Sequence, residues 1–421
     1  MKHEPGTGIT TLNPWGKGMN NRAAVRNLPD ETVRNAVNVN FGPEDQIVCR
    51  SGMEKVLSAI NPQGGFSCPM GQYFVEGFCL KQFNADNTAT TLYAGVLGST
   101  YAFDYENDVV YFSDGVINLK ITDLGVTNWW MTIPPMPLVY STAGAYGEGK
   151  YLAAYCWVDS AGVESGCSPL AAIDALDNSG FVFSNLPSIA DPQVSTLRIY
   201  LSTANGQVLY HVADTTASSY TLSAGRYDGG NVCESLFIYP PPPGRIIRHH
   251  NGRMCIADAY KNVWFSEQFS PDRFRLGSTY LIFPESVDVM EPVTAGIFFV
   301  YGDRTDFYGV RLGINPIDGV EEGFHISRKF DYGGVYGTGR PVPNTETVCW
   351  QSQRGTIIGT PEGECKNIQE NNVAVDSAVS GALLLREKDG IRQIIASLKQ
   401  PTTTSLAATS WIDAEIVRRG A

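Results

Sequence analysis

The five histidines, His3, His211, His249, His250 and His325, are the first residues to weigh for chemistry, and their spacing argues against a shared metal ion. None stands in a His-x-x-x-His pair, the spacing that puts two imidazoles on one helix face. His249 and His250 are adjacent, so on a strand they point to opposite sides. One phosphate-loop near-match runs from Gly144 to Lys150 as Gly-Ala-Tyr-Gly-Glu-Gly-Lys. Tyr151 then stands where a magnesium-binding hydroxyl is needed, Glu148 repels phosphate, and no helix-forming pattern follows to hold the anion. A flexible lead into a strand is the preferred reading.

Carboxylate pairs come next, because a glycosidase needs two of them about 5–10 Å apart across a cleft. Asp104, Asp258, Asp303 and Asp306 all fall near proposed turns, where Asp is favoured for local hydrogen bonding alone. Asp174, Asp177 and Asn178 have oxygen ligands suited to calcium, but a surface turn is the preferred reading. No catalytic, cofactor-binding or metal-binding residue is therefore assigned. One basic group stands out: Arg245, Arg248, His249, His250 and Arg253. Its charge suits an acidic partner, a neighbouring subunit or DNA; equally, polar residues around a hairpin keep a sheet edge soluble.

The elements that must carry these residues read as strands. Leu92–Val96, Gly98–Asp104 and Asn107–Gly115 are separated by short polar turns, and Asn251–Asp258 followed by Lys261–Ser266 repeats the rhythm. Both stretches have a strand, a tight turn and an aromatic strand ending in Ser. Further units follow at 296–310, 348–359 and 382–395, the last around Lys388-Asp389-Gly390, a strong hairpin signal. A recurrence of about 40–50 residues suits a β-propeller, and about six blades are expected. Pro29–Thr32 predicts a short helix capped by Asp30, and Val37–Phe41 a strand.

Residues 137–244 differ. Pro134, Pro135 and Pro137 precede them and Pro240-Pro241-Pro242-Pro243-Gly244 closes them. The strands inside follow a β-sandwich pattern. The segment holds nine acidic and three basic residues, half of the chain's net charge of −12. The predicted organisation is all-β: an N-terminal arm (1–41), a first propeller part (42–136), an inserted immunoglobulin- or fibronectin III-like sandwich (137–244) and a second propeller part (245–421).

Nine cysteines without a Cys-x-x-Cys pair suggest free, buried thiols. A two-residue turn at Ala161-Gly162 would set Cys156 opposite Cys167; two small apolar groups in neighbouring strands are preferred there to a disulfide. The acidic balance lacks the basic footprint of a duplex-gripping protein. No apolar run reaches the length of a membrane span, and the first residues lack the apolar stretch of a secretory signal, so synthesis in the cytoplasm is expected.

Gly18-Met19-Asn20-Asn21-Arg22, Leu28-Pro29-Asp30, Val33–Val39 and Arg50–Val56 together resemble the opening of tail nozzle or hub proteins of short-tailed bacteriophages, of the tail tubular protein B type. Tyr151–Cys167 and Leu197–Ser202 are similar to the insert of that family, and Pro242-Pro243-Gly244, Asn251-Gly252-Arg253 and Trp264–Glu267 to its return into the propeller. The resemblance covers about residues 10–310 and includes no catalytic motif. It implies a structural, non-enzymatic virion protein forming a homo-oligomeric ring, typically a hexamer. That ring would sit below the portal and head–tail adaptor beside tail fibres or tailspikes, and pass DNA without tight binding. The basic group is then a subunit or partner contact. The rival reading is a glycan-binding or glycan-hydrolysing propeller, which predicts a signal peptide, clustered carboxylates and aromatic platforms in one cleft.

Overall fold

The computed structural model describes residues 17–37, 39–41, 47–49, 55–224, 230–315, 319–388 and 391–401. Their regular structure is almost wholly antiparallel sheet, and the chain divides into two compact units, Leu57–Val287 and Met1–Val56 with Asp288–Ala421. The predicted helix at Pro29–Thr32 is not formed. Glu31 has a φ of 68°, outside the helical region, and a single 3-10 turn lies earlier, at Val25–Asn27.

The Leu57–Val287 unit holds three sheets in which successive strands pair in chain order. The first comprises Gln63–Cys68, Gly71–Glu76, Cys79–Phe83 and Ala89–Ala94. The second comprises Ala102–Glu106, Val109–Ser113, Asn118–Thr122 and Gly125–Asn128. The third comprises Ile246–His250, Arg253–Ala257, Asn262–Glu267 and Ser270–Phe274, with Tyr280–Ile282 also paired to its third strand. Tight turns set the register. Asn107-Asp108 (φ 49° and 59°) and Asn251-Gly252 (φ 53° and 75°) are left-handed pairs that match the strand twist.

Strand Val109–Ser113 shows why these sheets stack face to face. Val110 and Phe112 point into a core with Tyr73, Val75, Leu80 and Phe103 of the first two sheets. Tyr111, between them, points into a second core with Trp129, Ile247, Met254, Ile256 and Phe274. A strand apolar on both faces must be covered on both. Between the first two sheets Asp114 is the fastener. Its Oδ2 accepts from the Leu97 and Gly98 N–H groups at 2.7 and 2.8 Å, and its Oδ1 from those of Val116 and Ile117. A Cβ at Gly98 would lie 1.7 Å from the Asp114 carbonyl oxygen, so only glycine fits there.

Residues 138–222 leave this series between the second and third sheets and form a sandwich. One sheet contains Leu138–Tyr146, Ser179–Ser184 and Tyr220–Leu222; the other contains Ala171–Ala175, Gly149–Val158, Thr196–Ser202 and Leu209–Thr215. Tyr151, Ala153, Tyr155 and Trp157 alternate into the core between the sheets. Ala154, Cys156 and Val158 face the other way, into a smaller core closed by Cys167, Cys233 and Leu236. Both leads of the sandwich meet Asn118. Its carbonyl accepts from the Trp129 N–H at 3.0 Å on the way out, and its side-chain amide donates to the Pro241 carbonyl at 2.7 Å on the return.

The other unit has two further sheets of the same kind. One comprises Val289–Val293, Gly296–Tyr301, Arg304–Asn315 and Gly319–Phe330; the other comprises Arg340–Pro341, Val348–Ser352, Gly355–Gly359 and Cys365–Asn367. They share a core of Val289, Phe298, Val300, Phe307, Trp350 and Ile357. Two-strand ribbons, Val39–Phe41 with Ile47–Cys49 and Ser380–Lys388 with Ile391–Lys399, complete the described strands; the tip at 389–390 lies outside the described residues. The arm is tied down by Asn21, whose side chain donates to the Ala374 carbonyl at 3.0 Å and accepts from its N–H at 2.7 Å.

Candidate functional site

The basic group lies on the first hairpin of the third sheet. His250 pairs with Arg253 across the Asn251-Gly252 turn, and His249 with Met254. Its members do not form one patch. His249 and His250 occupy alternate faces, and His250 is buried. His249 serves the junction with the second sheet. Its N–H donates to Asp104 Oδ2, and its Nδ1 lies 3.2 Å from Glu106 Oε2. Arg253 turns inward and donates to the Ser266 carbonyl at 2.7 Å, while Ser266 Oγ accepts from the Met254 N–H at 2.9 Å. The repeated strand-ending Ser is thus a buried hydrogen-bond post. Arg248 donates to the Ile247 carbonyl at 2.8 Å. Half or more of this charge therefore does structural duty within the fold.

The other sequence candidates are also held locally. Asp258 Oδ1 accepts from the Tyr260 and Asn262 N–H groups, and Oδ2 from Asn262 Nδ2 and Trp264 Nε1. Asp306 is buried and accepts from the Tyr301 hydroxyl at 2.6 Å. Asp303 is exposed in the two-residue turn before Arg304. In the phosphate-loop near-match, Gly144 and Ala145 donate to the Asn178 and Ser223 carbonyls, and a strand follows Gly149. Those amides are spent on the sheet. Asp174 is on a strand, and Asn178 takes a φ of 60° in the following turn. Among the described residues, no group of three or more His, Cys, Asp or Glu side chains is placed to hold a metal ion.

A further polar site among the described residues is one that no motif announces. It lies on the outer face of the four-stranded sandwich sheet, under the segment leading out of the sandwich. Glu164 is its centre. Oε1 accepts from Arg198 Nη1 at 2.8 Å and from the Tyr200 hydroxyl at 2.5 Å; Oε2 accepts from the Ser235 hydroxyl at 2.6 Å. Burial alone would raise this carboxyl, yet the bonds from Ser235, Tyr200 and Arg198 outweigh burial and hold it below its usual value. Arg198 is itself gripped by Asp214 in a bidentate pair at 2.9 and 3.0 Å, and His211 Nε2 sits 3.0 Å from Asp214 Oδ1.

Three thiols adjoin this carboxylate. Cys167 Sγ is 3.2 Å from Cys233 Sγ and 3.3 Å from Ser235 Oγ, and it also meets the Cys156 thiol. Cys156 and Cys167 pack together as free thiols, as expected of two small apolar neighbours, but not through the expected two-residue turn. The turn is longer: Val158 bridges Glu164, while the Ser168 N–H bonds the Tyr155 carbonyl. Four residues on one side thus oppose three on the other, a bulge that re-aims Cys167. Cys233 arrives from 66 residues away on a segment whose Cys233 N–H donates to the Leu209 carbonyl at 2.9 Å. Short-range spacing carries no trace of that meeting.

No protein-family model matches the chain, and no curated protein matches it. Among solved structures, the crystal structure of the computationally designed Ika8 protein is similar over 82% of this chain and 97% of its own, with 8% identity and a TM-score of 0.25. A likeness of that size carries no argument about fold or function. Among the described residues no helix is long and apolar enough to cross a membrane.

Proposed function

We propose that this chain is a structural subunit of the tail nozzle or hub of a short-tailed bacteriophage, closing into a homo-oligomeric ring, a hexamer, that channels DNA during ejection. The observation that supports it best is the order of parts. An arm, two chain-ordered four-stranded sheets, a seven-stranded sandwich and three further chain-ordered sheets, the first of them with a fifth strand, follow one another in an order that suits the resemblance. In this reading the sheets are propeller blades, the sandwich is an appended domain, and the function is mechanical.

Two surface properties suit a ring subunit. Large apolar side chains stand exposed at hairpin tips, among them Phe78, Leu124 and Phe269, and such residues are natural candidates for cover by a neighbour. The acidic sandwich and the Arg245–Arg253 hairpin have opposite charge. In a ring of identical copies, whatever basic surface this hairpin keeps after its internal bonds could meet an acidic surface of the next copy in a heterologous contact, and closed rotation gives a cyclic oligomer. The net charge of −12 weakens the grip on passing DNA.

The test is electron microscopy and sedimentation of the purified full chain, alone and with the tail complex of its virion. A closed ring with a lumen is the expected result. A chain that stays monomeric in both settings would overturn the proposal. The double change of Arg245 and Arg248 to Ser, which leaves the inward-turned Arg253 in place, is expected to weaken ring assembly in a salt-sensitive way.

A further inference from the structure

We propose that Cys167 and Cys233 form a reversible disulfide that fastens the segment leaving the sandwich to the outer face of its four-stranded sheet. The two sulfurs are already 3.2 Å apart, so a bond of about 2.05 Å needs a shift of little more than about 1 Å. The movement falls on the more compliant partner. Cys167 is buried, with 8% of its surface exposed, whereas Cys233 is partly open to solvent. Cys233 also lines a groove of about 520 Å³ with Glu234, Phe237, Glu267, Arg273 and Arg275, which gives a small oxidant a route to it. This inference does not rest on the viral reading.

The chemistry is thiol–disulfide exchange with a small-molecule disulfide such as oxidised glutathione. Cys233 loses its proton and attacks one glutathione sulfur, the glutathione S–S bond breaks, and the first glutathione thiolate departs. Cys167 then loses its proton and attacks the Cys233 sulfur of the mixed disulfide, releasing the second glutathione. Two protein thiols are oxidised, one glutathione disulfide is reduced to two thiols, and the protons pass to the leaving thiolates. The adjacent Cys156 thiol and burial push Cys167 up to about 12; the Cys167 thiol and burial also push Cys233 up. The exchange is therefore slow at neutral pH and speeds up as the thiolate fraction grows.

What the bond would fasten is specific. The exit segment is held to the sandwich edge by the His211 N–H to the Asn231 carbonyl and the Cys233 N–H to the Leu209 carbonyl, each at 2.9 Å. Further on, Tyr239 bridges Phe274 of the third sheet, and Arg275 Nη1 donates to the Leu236 carbonyl at 3.3 Å. The segment is thus the strap between sandwich and third sheet. A covalent link at Cys233 fixes its sandwich end; a reducing environment frees it.

The experiment incubates the full chain with oxidised glutathione at several pH values. It is then acid-quenched, unfolded, alkylated and digested for mass spectrometry. The expected product is a Cys167–Cys233 cross-linked peptide, lost in Cys233→Ser and retained in Cys156→Ala, forming about tenfold faster per pH unit from pH 7 to 9. Amide exchange at Cys233 and His211 is expected to slow at least about tenfold in the oxidised chain, since local opening governs such exchange. Cys167 and Cys233 both recovered as alkylated thiols while exposed Cys49 has reacted would overturn the proposal. So would a lasting glutathione adduct on Cys233, a Cys156–Cys167 product, or unchanged exchange in the cross-linked chain.

Discussion

The sandwich and the junction between the second and third sheets each enclose a carboxylate, and the two are kept in opposite ways. Glu164 receives hydrogen bonds from Ser235, Tyr200 and Arg198, and its acid is strengthened. Asp272 lies where the third sheet meets the second, with Lys120 3.8 Å away. Burial dominates there, Lys120 and the Trp129 indole only partly offset it, and the carboxyl is pushed up to about 6. The difference lies in donors rather than depth: a buried charge surrounded by short hydrogen bonds is stable, and one facing a single distant cation is not.

The largest effect is expected from breaking the well-paired site. Glu164→Ala should cost about 3 kcal/mol, because Tyr200 and Ser235 lose their acceptor and Arg198 keeps only Asp214. Denaturant unfolding of the full chain, monitored through sandwich residues, measures it. A loss under about 1 kcal/mol would show that water replaces the carboxylate without penalty.

Asp272→Asn is expected to act in the opposite direction. The folded chain holds the Asp272 proton up to about pH 6, whereas the unfolded chain releases it near 3.8. Stability from this group is therefore full below about pH 4, falls as pH rises through 6, and is absent at pH 8. About a fifth of the side chain remains exposed (21%), so the gain from the neutral amide at pH 8 is about 2 kcal/mol rather than the full value of the shift. Melting curves at pH 8 for both proteins decide this, and a destabilised Asn variant would break the comparison.

A smaller effect separates the regions by pH alone. Between pH 8 and pH 5 Asp272 gains its proton while Glu164 keeps its charge. Amide exchange, corrected for intrinsic rate, should then slow at the sheet junction by about 1 kcal/mol of opening energy and stay level at Tyr200. The smallest expected effect is His249→Ala, which removes a half-exposed contact to Glu106 across the same junction and should cost under about 1 kcal/mol.

Much of the scaffold was legible because turns declare themselves locally. Asn251-Gly252 and Asn107-Asp108 could be read as hairpin tips, and both adopt the left-handed pairs that such tips need. The strand expected after the Gly144–Lys150 lead also forms, since Gly149–Val158 alternates large side chains into one core. The Asp30 cap failed because Glu31 is left-handed, and no residue type there signals it. The basic group was visible as composition, but its use as an inner fastener was not. That depends on Glu106 and Ser266, which belong to other strands. The thiol cluster was illegible for the same reason: it needs a bulge at Gly166–Cys167 and a segment returning from far along the chain. Asp272 sits in Ser270–Phe274, which looks like a polar edge strand until the third sheet is stacked on the second.

Asn118 holds both leads of the sandwich, through its carbonyl on one side and its amide on the other. In genetic terms this makes residues 131–240 a cassette. Recombination at its two ends can delete, lengthen or exchange the sandwich without separating any strand pair inside the second or third sheet. The contacts such an exchange would give up are the Tyr239–Phe274 bridge and the Arg275 bond to the Leu236 carbonyl.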